Sequence, residues 1–185
     1  MKRLLRQGWI RAGVPLSSIE SLADHSWSSA AISYILVQLE NEFRKRNDNP
    51  LLNVEKAVCI ALFHDFQESQ YFDIDKSLEY LIDNSLWEKF ITKIDESAID
   101  NLIEDIPKSV QNSIYKLMKD QESEEYHIAK AADLLDLYYQ ANEYFNRNWI
   151  NESQYVKFIK KTFSKLKGYE KRFPSIRELY IESHD

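Results

Sequence analysis

The stretch "ALFHDFQES", residues 61–69, sets His64 beside Asp65 and places Glu68 one turn later. A charged carboxylate is costly to bury unless it is paired or bound to a cation. Three other segments bear on this. His25 sits in "ESLADHSWSS", near the start of a long helical pattern. Asp133 sits in "YHIAKAADLLDLYYQANEY", among alanines that permit close approach and three residues after Lys130. Taken singly, each has a plain reading: His25 as a core or capping residue, Asp133 as the partner of Lys130, Glu68 as a solvated helix-end carboxylate. Taken together, His25, His64, Asp65 and Asp133 make a mixed nitrogen and oxygen donor set. Such a set suits a hydrolytic divalent ion (Co, Mn, Mg, Zn or Fe) rather than a thiolate-bound structural zinc. Four protein ligands on an octahedral ion leave two positions for water and substrate, and such an ion acidifies its water and polarises a phosphoryl oxygen.

Helices must position these groups. "SWSSAAISYILVQLENEFRKR" carries Trp27, Ala30, Ala31, Tyr34, Ile35 and Gln38 at i, i+3, i+4 spacing, which predicts that this stripe faces the core. Ser17 and Glu20 have capping-box spacing ahead of it. "NDNP" at 47–50 ends the helix, and Asn53 can cap the next, "VEKAVCIALFHDFQES", with Val54, Ala57, Val58, Ala61 and Leu62 inward. On that helix Glu68 shares a face with Asp65. Further helices are expected in "SLEYLIDNSLWEKFITKI" with "ESAIDNLIEDI", in "PKSVQNSIYKLMKD" from Pro107, from about 123 to 146, and from about 152 to 166, with Gly168 as terminator. One more turn fits the tail. No strand pattern, repeat or linker stands out, so the expectation is one all-α domain over residues 1–185.

Composition narrows the class. Three glycines and four prolines imply few turns and long helices. A net charge of −6 without a basic stripe argues against duplex nucleic acid as partner. Cys59, the single cysteine, cannot form an internal disulfide and lies in an apolar run, as a buried structural thiol would. No apolar run reaches the ~18 residues of a membrane span. The start, "MKRLLRQGWI", lacks the apolar core of a signal peptide. A cytoplasmic protein is the expectation.

The ordered pattern His … His-Asp … Asp in a helical chain resembles the HD-domain metal-dependent phosphohydrolases. "RQGWIRAGV", "ESLADHSW", "IALFHDFQESQYFDI" and "KAADLLDLYYQANEY" bring it closer to the HD-domain 5′-deoxynucleotidases. The resemblance implies an HD-type helical bundle that hydrolyses deoxyribonucleoside 5′-monophosphates to deoxynucleoside and phosphate. It implies His25, His64, Asp65 and Asp133 as metal ligands, and Glu68 as acid/base helper. Arg6 matches a phosphate-contacting arginine, Trp9 an aromatic shaping the sugar pocket, and Asp73 an aspartate holding the sugar end. Lys130 matches a lysine that orients the last aspartate or touches phosphate. A second acidic helper falls on Asp120, with Glu122 or Glu124 as alternatives. The run "YFDIDKS" departs from the family pattern around Asp73. The resemblance also implies a homodimer, and the aromatic-rich late helices could supply its face or be ordinary core. The alternatives are an HD phosphodiesterase or nucleoside polyphosphate hydrolase, which need more cations than stand beside these motifs, and a non-catalytic helical binding module.

Overall fold

A computed structural model describes residues 1–71, 74, 81 and 83–180. Asp73 lies outside these residues. The described elements are helical: α1 (Gln7–Ala12), α2 (Leu22–Arg46), α3 (Val54–Phe63), α4 (Glu68–Tyr71), α5 (Asn84–Ile103), α6 (Lys108–Lys119), α7 (Glu124–Asn146) and α8 (Glu152–Glu170). Short 3-10 turns cover Leu16–Ser18 and Pro174–Leu179. Among the described residues the only β-type pairing is one isolated bridge, Leu5 to Ser21. No described helix is long and apolar enough to cross a membrane.

The centre is a three-helix layer in which α2, α3 and α7 pack on one another, backed by α8. Leu36, Val37, Ala57, Ile128, Ala131 and Leu135 fill the layer, and Phe173 and Ile176 of the C-terminal turn close it. A second core holds α1 against the ends of α7 and α8 through Trp9, Tyr144, Ile150 and Ile159. A third, made of Ala30, Ile60, Ala61 and Ala129, lies where the three central helices approach closely. Small side chains at that crossing bring the backbones together, so the longer polar side chains beside them meet.

Several sequence expectations need correction. The stripe Trp27, Tyr34, Ile35 faces solvent, at 72%, 52% and 49% exposure. The buried face of α2 is instead Leu22, His25, Ser26, Ser29, Ala30, Ser33, Leu36 and Val37. Serines score as polar, but a buried small side chain lets two helices close up. The capping box is Ser21 with Asp24, not Ser17 with Glu20: Ser21 Oγ accepts from the Asp24 N–H at 3.2 Å, and the Asp24 carboxylate accepts from the Ser21 N–H at 2.9 Å. α3 stops at Phe63, and residues 64–67 form a turn. The cause is local. His64 Nδ1 bonds Ala61 O at 2.6 Å, taking the carbonyl that a continuing helix would offer to the Asp65 N–H. Leu62 lies on the exposed side of α3. Gly168 lies inside α8, which runs on to Glu170. Asn53 caps α3 as expected, accepting from the Lys56 N–H, and Ser123 caps α7, accepting from the Tyr126 N–H.

Candidate metal centre

His25 lies in the first turn of α2, fully buried, where the Ser21 cap fixes the helix start. His64 and Asp65 project from the turn after α3. Asp133 projects from α7, one turn from Ala129 at the close crossing. Four atoms from three elements meet. His25 Nε2 is 3.2 Å from His64 Nε2, 3.6 Å from Asp65 Oδ2 and 3.2 Å from Asp133 Oδ1. His64 Nε2 is 3.2 Å from Asp65 Oδ2 and 3.7 Å from Asp133 Oδ1. Each imidazole Nε2 thus lies within 3.7 Å of both carboxylates. His25, His64 and Asp65 alone already qualify as a group able to hold an ion.

The other ring nitrogens are occupied. His25 Nδ1 lies 2.6 Å from Asp136 Oδ2, and His64 Nδ1 lies 2.6 Å from Ala61 O. Both are contacts to acceptors, so each Nδ1 carries the proton. Each Nε2, once deprotonated, has its lone pair aimed at the common point, the arrangement expected around metal-ligating histidines. A second carboxylate and imidazole group, Glu20 with His25 and Asp136, shares the same imidazole. Its 2.6 Å Nδ1 to Asp136 contact is shorter than the ~3.0 Å edge of a coordination shell and has the length of a charge-assisted hydrogen bond. It supports the centre rather than forming another.

Charge is balanced tightly. Burial disfavours the imidazolium of His64, but Asp65 and Asp133 outweigh it and push its pKa up to about 10. At His25, burial and then Arg6 oppose the charged form, yet Asp133 and Asp136 hold the pKa above its ordinary value. Burial works against ionised Asp65, and His64 overrides it, so the pKa falls well below the usual carboxylate range. Asp133 behaves alike, with Lys130 and His64 as the overriding charges. The metal-free site therefore keeps its carboxylates ionised and uses protons where an ion would sit.

Around the donors, Arg6 Nη1 reaches Asp65 Oδ2 at 3.4 Å, and Lys130 Nζ reaches Asp133 Oδ2 at 2.8 Å. Glu68 opens α4, and its N–H donates to Asp65 O at 3.1 Å. It reaches the one-turn relation to Asp65 through a turn rather than a shared helix face. Tyr71, at the other end of α4, donates its hydroxyl to Asp95 of α5. Two of the assigned residues are engaged elsewhere. Trp9 is only 2% exposed, edge-on to Tyr144 at 4.9 Å and against Phe158 at 4.7 Å, so it offers no open pocket wall. What it gives the site is its Nε1–H, donated to Glu20 at 2.9 Å. Asp120 ends α6 and pairs with Lys56 at 2.7 Å, near the start of α3 and two turns from His64. Glu124 pairs with Arg44 at 2.8 Å. Sequence reasoning missed Asp136 and Glu20. The i, i+3 step from Asp133 to Asp136 could have found the first. Glu20 lies before the helix, where no periodicity points to it.

The aromatic side chains of the late helices, Tyr138, Phe145, Trp149, Tyr155 and Phe158, pack against the α1 core. Each is partly buried there, while Tyr139 of the same run is exposed.

Comparison with known proteins gives the family. Residues 7–180 match the family described as 5′-deoxynucleotidase YfbR-like. Curated relatives named 5′-deoxynucleotidase, from Yersinia pestis (strain Pestoides F) and from Yersinia pseudotuberculosis (serotype O:3, strain YPIII), are 30% identical over 126 residues. That alignment takes in 67% of this chain and 61% of theirs, so the chain spans less than two thirds of those relatives' length. Among solved structures, PH0347 from Pyrococcus horikoshii OT3 has a TM-score of 0.65 at 28% identity, covering 97% of this chain and 94% of that one. A conserved hypothetical protein from Pyrococcus furiosus has a TM-score of 0.62 at 24% identity, covering 90% and 93%, and bears on the fold alone. With the match extending over nearly all the described residues, the chain belongs to the 5′-deoxynucleotidase YfbR-like family.

Proposed function

We propose that this protein is a metal-dependent phosphomonoesterase that hydrolyses deoxyribonucleoside 5′-monophosphates to deoxynucleoside and inorganic phosphate. The observation that carries this reading is the convergence of His25 Nε2, His64 Nε2, Asp65 Oδ2 and Asp133 Oδ1 beside the Arg6 guanidinium. Family membership and the names of the relatives support the substrate class. A divalent ion held by these four groups supplies Lewis acidity and a readily ionised water. The protein's own groups do the rest. Arg6 presents a planar fork suited to a dianionic phosphate. Lys130 holds Asp133 in place through one carboxylate oxygen, leaving the other for the centre. Glu68 takes the proton of the attacking water. As the new P–O bond forms and the bond to the 5′-oxygen breaks, Glu68 returns that proton to the leaving oxygen. Asp73 is assigned to the sugar end of the substrate on the resemblance. Asp120, engaged with Lys56, is left out of the proton transfer.

Among the described residues, the cations paired with the cluster's carboxylates are Arg6 and Lys130. That complement favours one phosphate group over a polyphosphate. An organisation as one HD-type domain, a cytoplasmic location and assembly as a homodimer belong to the same proposal. The test offers deoxy- and ribonucleoside 5′-monophosphates, a deoxynucleoside triphosphate and an aryl phosphodiester in parallel, and follows phosphate and nucleoside. Phosphate released chiefly from the deoxy monophosphates supports the proposal. Preferential consumption of the diester or triphosphate overturns it.

A further inference from the structure

The two imidazoles of the centre are not held alike. His64 Nδ1 rests on a backbone carbonyl, Ala61 O, at 2.6 Å. His25 Nδ1 rests on a side-chain carboxylate, Asp136 Oδ2, at 2.6 Å, with both groups buried. A carbonyl dipole orients a ring. An anionic acceptor also strengthens electron donation from the opposite nitrogen, because partial transfer of the Nδ1 proton raises the negative charge at Nε2. The carboxylate is itself built in. Asp136 is one turn beyond Asp133 on α7, so one helix places both the acid that faces the ion and the acid behind its neighbour. Glu20 stands nearby, with a carboxylate oxygen within 4.8 Å of a His25 ring nitrogen and of the Asp136 carboxylate. Its carboxylate accepts the Trp9 indole N–H, and burial followed by the Asp136 charge raises its pKa against the pull of Arg6. A buried acid and a half-buried one against a single imidazole are costly unless their arrangement serves that ring.

We propose that Asp136 is a positioning residue that fixes His25 as the strong imidazole ligand and thereby sets how firmly the centre retains its ion. The inference rests on the metal-centre reading above. It implies that Nε2, not Nδ1, binds the ion, and that His25 governs metal retention more than His64 does.

The test is Co(II) titration of the metal-stripped protein against a competing chelator, for the wild type, Asp136→Asn and Asp136→Glu. The Asn variant should bind Co(II) about 10–100-fold more weakly, with the melting temperature of the metal-free protein changed little. The Glu variant, which restores a charged acceptor, should recover part of the loss. A Co(II) affinity within twofold of wild type in a folded Asn variant overturns the inference while leaving the centre intact. A wild type that binds no Co(II) overturns both the centre and the inference. A measurement independent of variant folding is the 15N tautomer pattern of His25 in wild-type protein loaded with Zn(II). A strongly deshielded proton on Nδ1 with metal-bound Nε2 is expected, and a proton on Nε2 overturns the proposal.

Discussion

Loading the centre with a divalent ion should expel protons, and the site geometry says how many. In the metal-free protein, His64 Nε2 sits 3.2 Å from Asp65 and 3.7 Å from Asp133, and the imidazolium persists up to about pH 10. A ligating imidazole must be neutral. His25 faces His64 through Nε2 atoms 3.2 Å apart and, against burial and Arg6, is itself held toward the charged form by Asp133 and Asp136. Binding therefore releases at least the His64 proton. Apparent metal affinity should rise about tenfold per pH unit between pH 7 and pH 9. At pH 7, three units below the raised pKa, proton competition costs about 10³-fold, or about 4 kcal/mol. Stability of the metal-free protein runs the other way. A folded pKa raised above the ordinary 6.5 contributes stability that is complete below 6.5 and is lost as pH rises through about 10. Asp65 and Asp133, held low by the same interaction, contribute above the ordinary carboxylate range and lose it as pH falls through their depressed values. The energy is counted once. Calorimetric titration with Mn(II) at pH 7, 8 and 9, in buffers of different ionisation enthalpy, reads both affinity and proton release. A pH-independent affinity with no proton released would refute the argument.

Other outcomes follow from the packing. Trp9→Phe keeps the aromatic contacts but removes the N–H that Glu20 accepts, and should cost about 1–3 kcal/mol in chemical denaturation; an unchanged midpoint would count against a role for that bond. Ser33→Leu, on the buried face of α2, should destabilise by about 1–3 kcal/mol. Trp27→Gln, on the exposed face, should stay within about 0.5 kcal/mol; the reverse order would restore the apolar stripe as the core face. Lys130→Met removes the charge 2.8 Å from Asp133 and should lower kcat/KM about tenfold with the fold intact; full activity would make that pair structural only.

The sequence made the donor set legible because each residue stood in a helical context whose direction could be read. His25 followed a helix start, His64 and Asp65 followed an apolar run, and Asp133 lay among alanines. The structure brings these four together. What the sequence concealed came from side chains that act on backbone or on one another across elements. The ring of His64 ends α3 by taking Ala61 O, which no glycine or proline announces. The inner face of α2 is built from serines, so hydrophobic periodicity pointed to the opposite face. Asp120 looked like a second acid by position along the chain, but Lys56 holds it elsewhere. Asp136 was written three residues after Asp133, yet its role depends on His25, 111 residues away.

The central claim is that four side chains hold a divalent ion that hydrolyses deoxynucleoside 5′-monophosphates. The most direct test is phosphate release by metal-stripped protein from deoxy- and ribonucleoside 5′-monophosphates, with Co, Mn, Mg, Zn and Fe(II) each restored, beside an Asp65→Ala control. The account expects release from the deoxy substrates only with metal restored, and its loss in the control. Release without added metal, or undiminished release by folded Asp65→Ala protein, would contradict it.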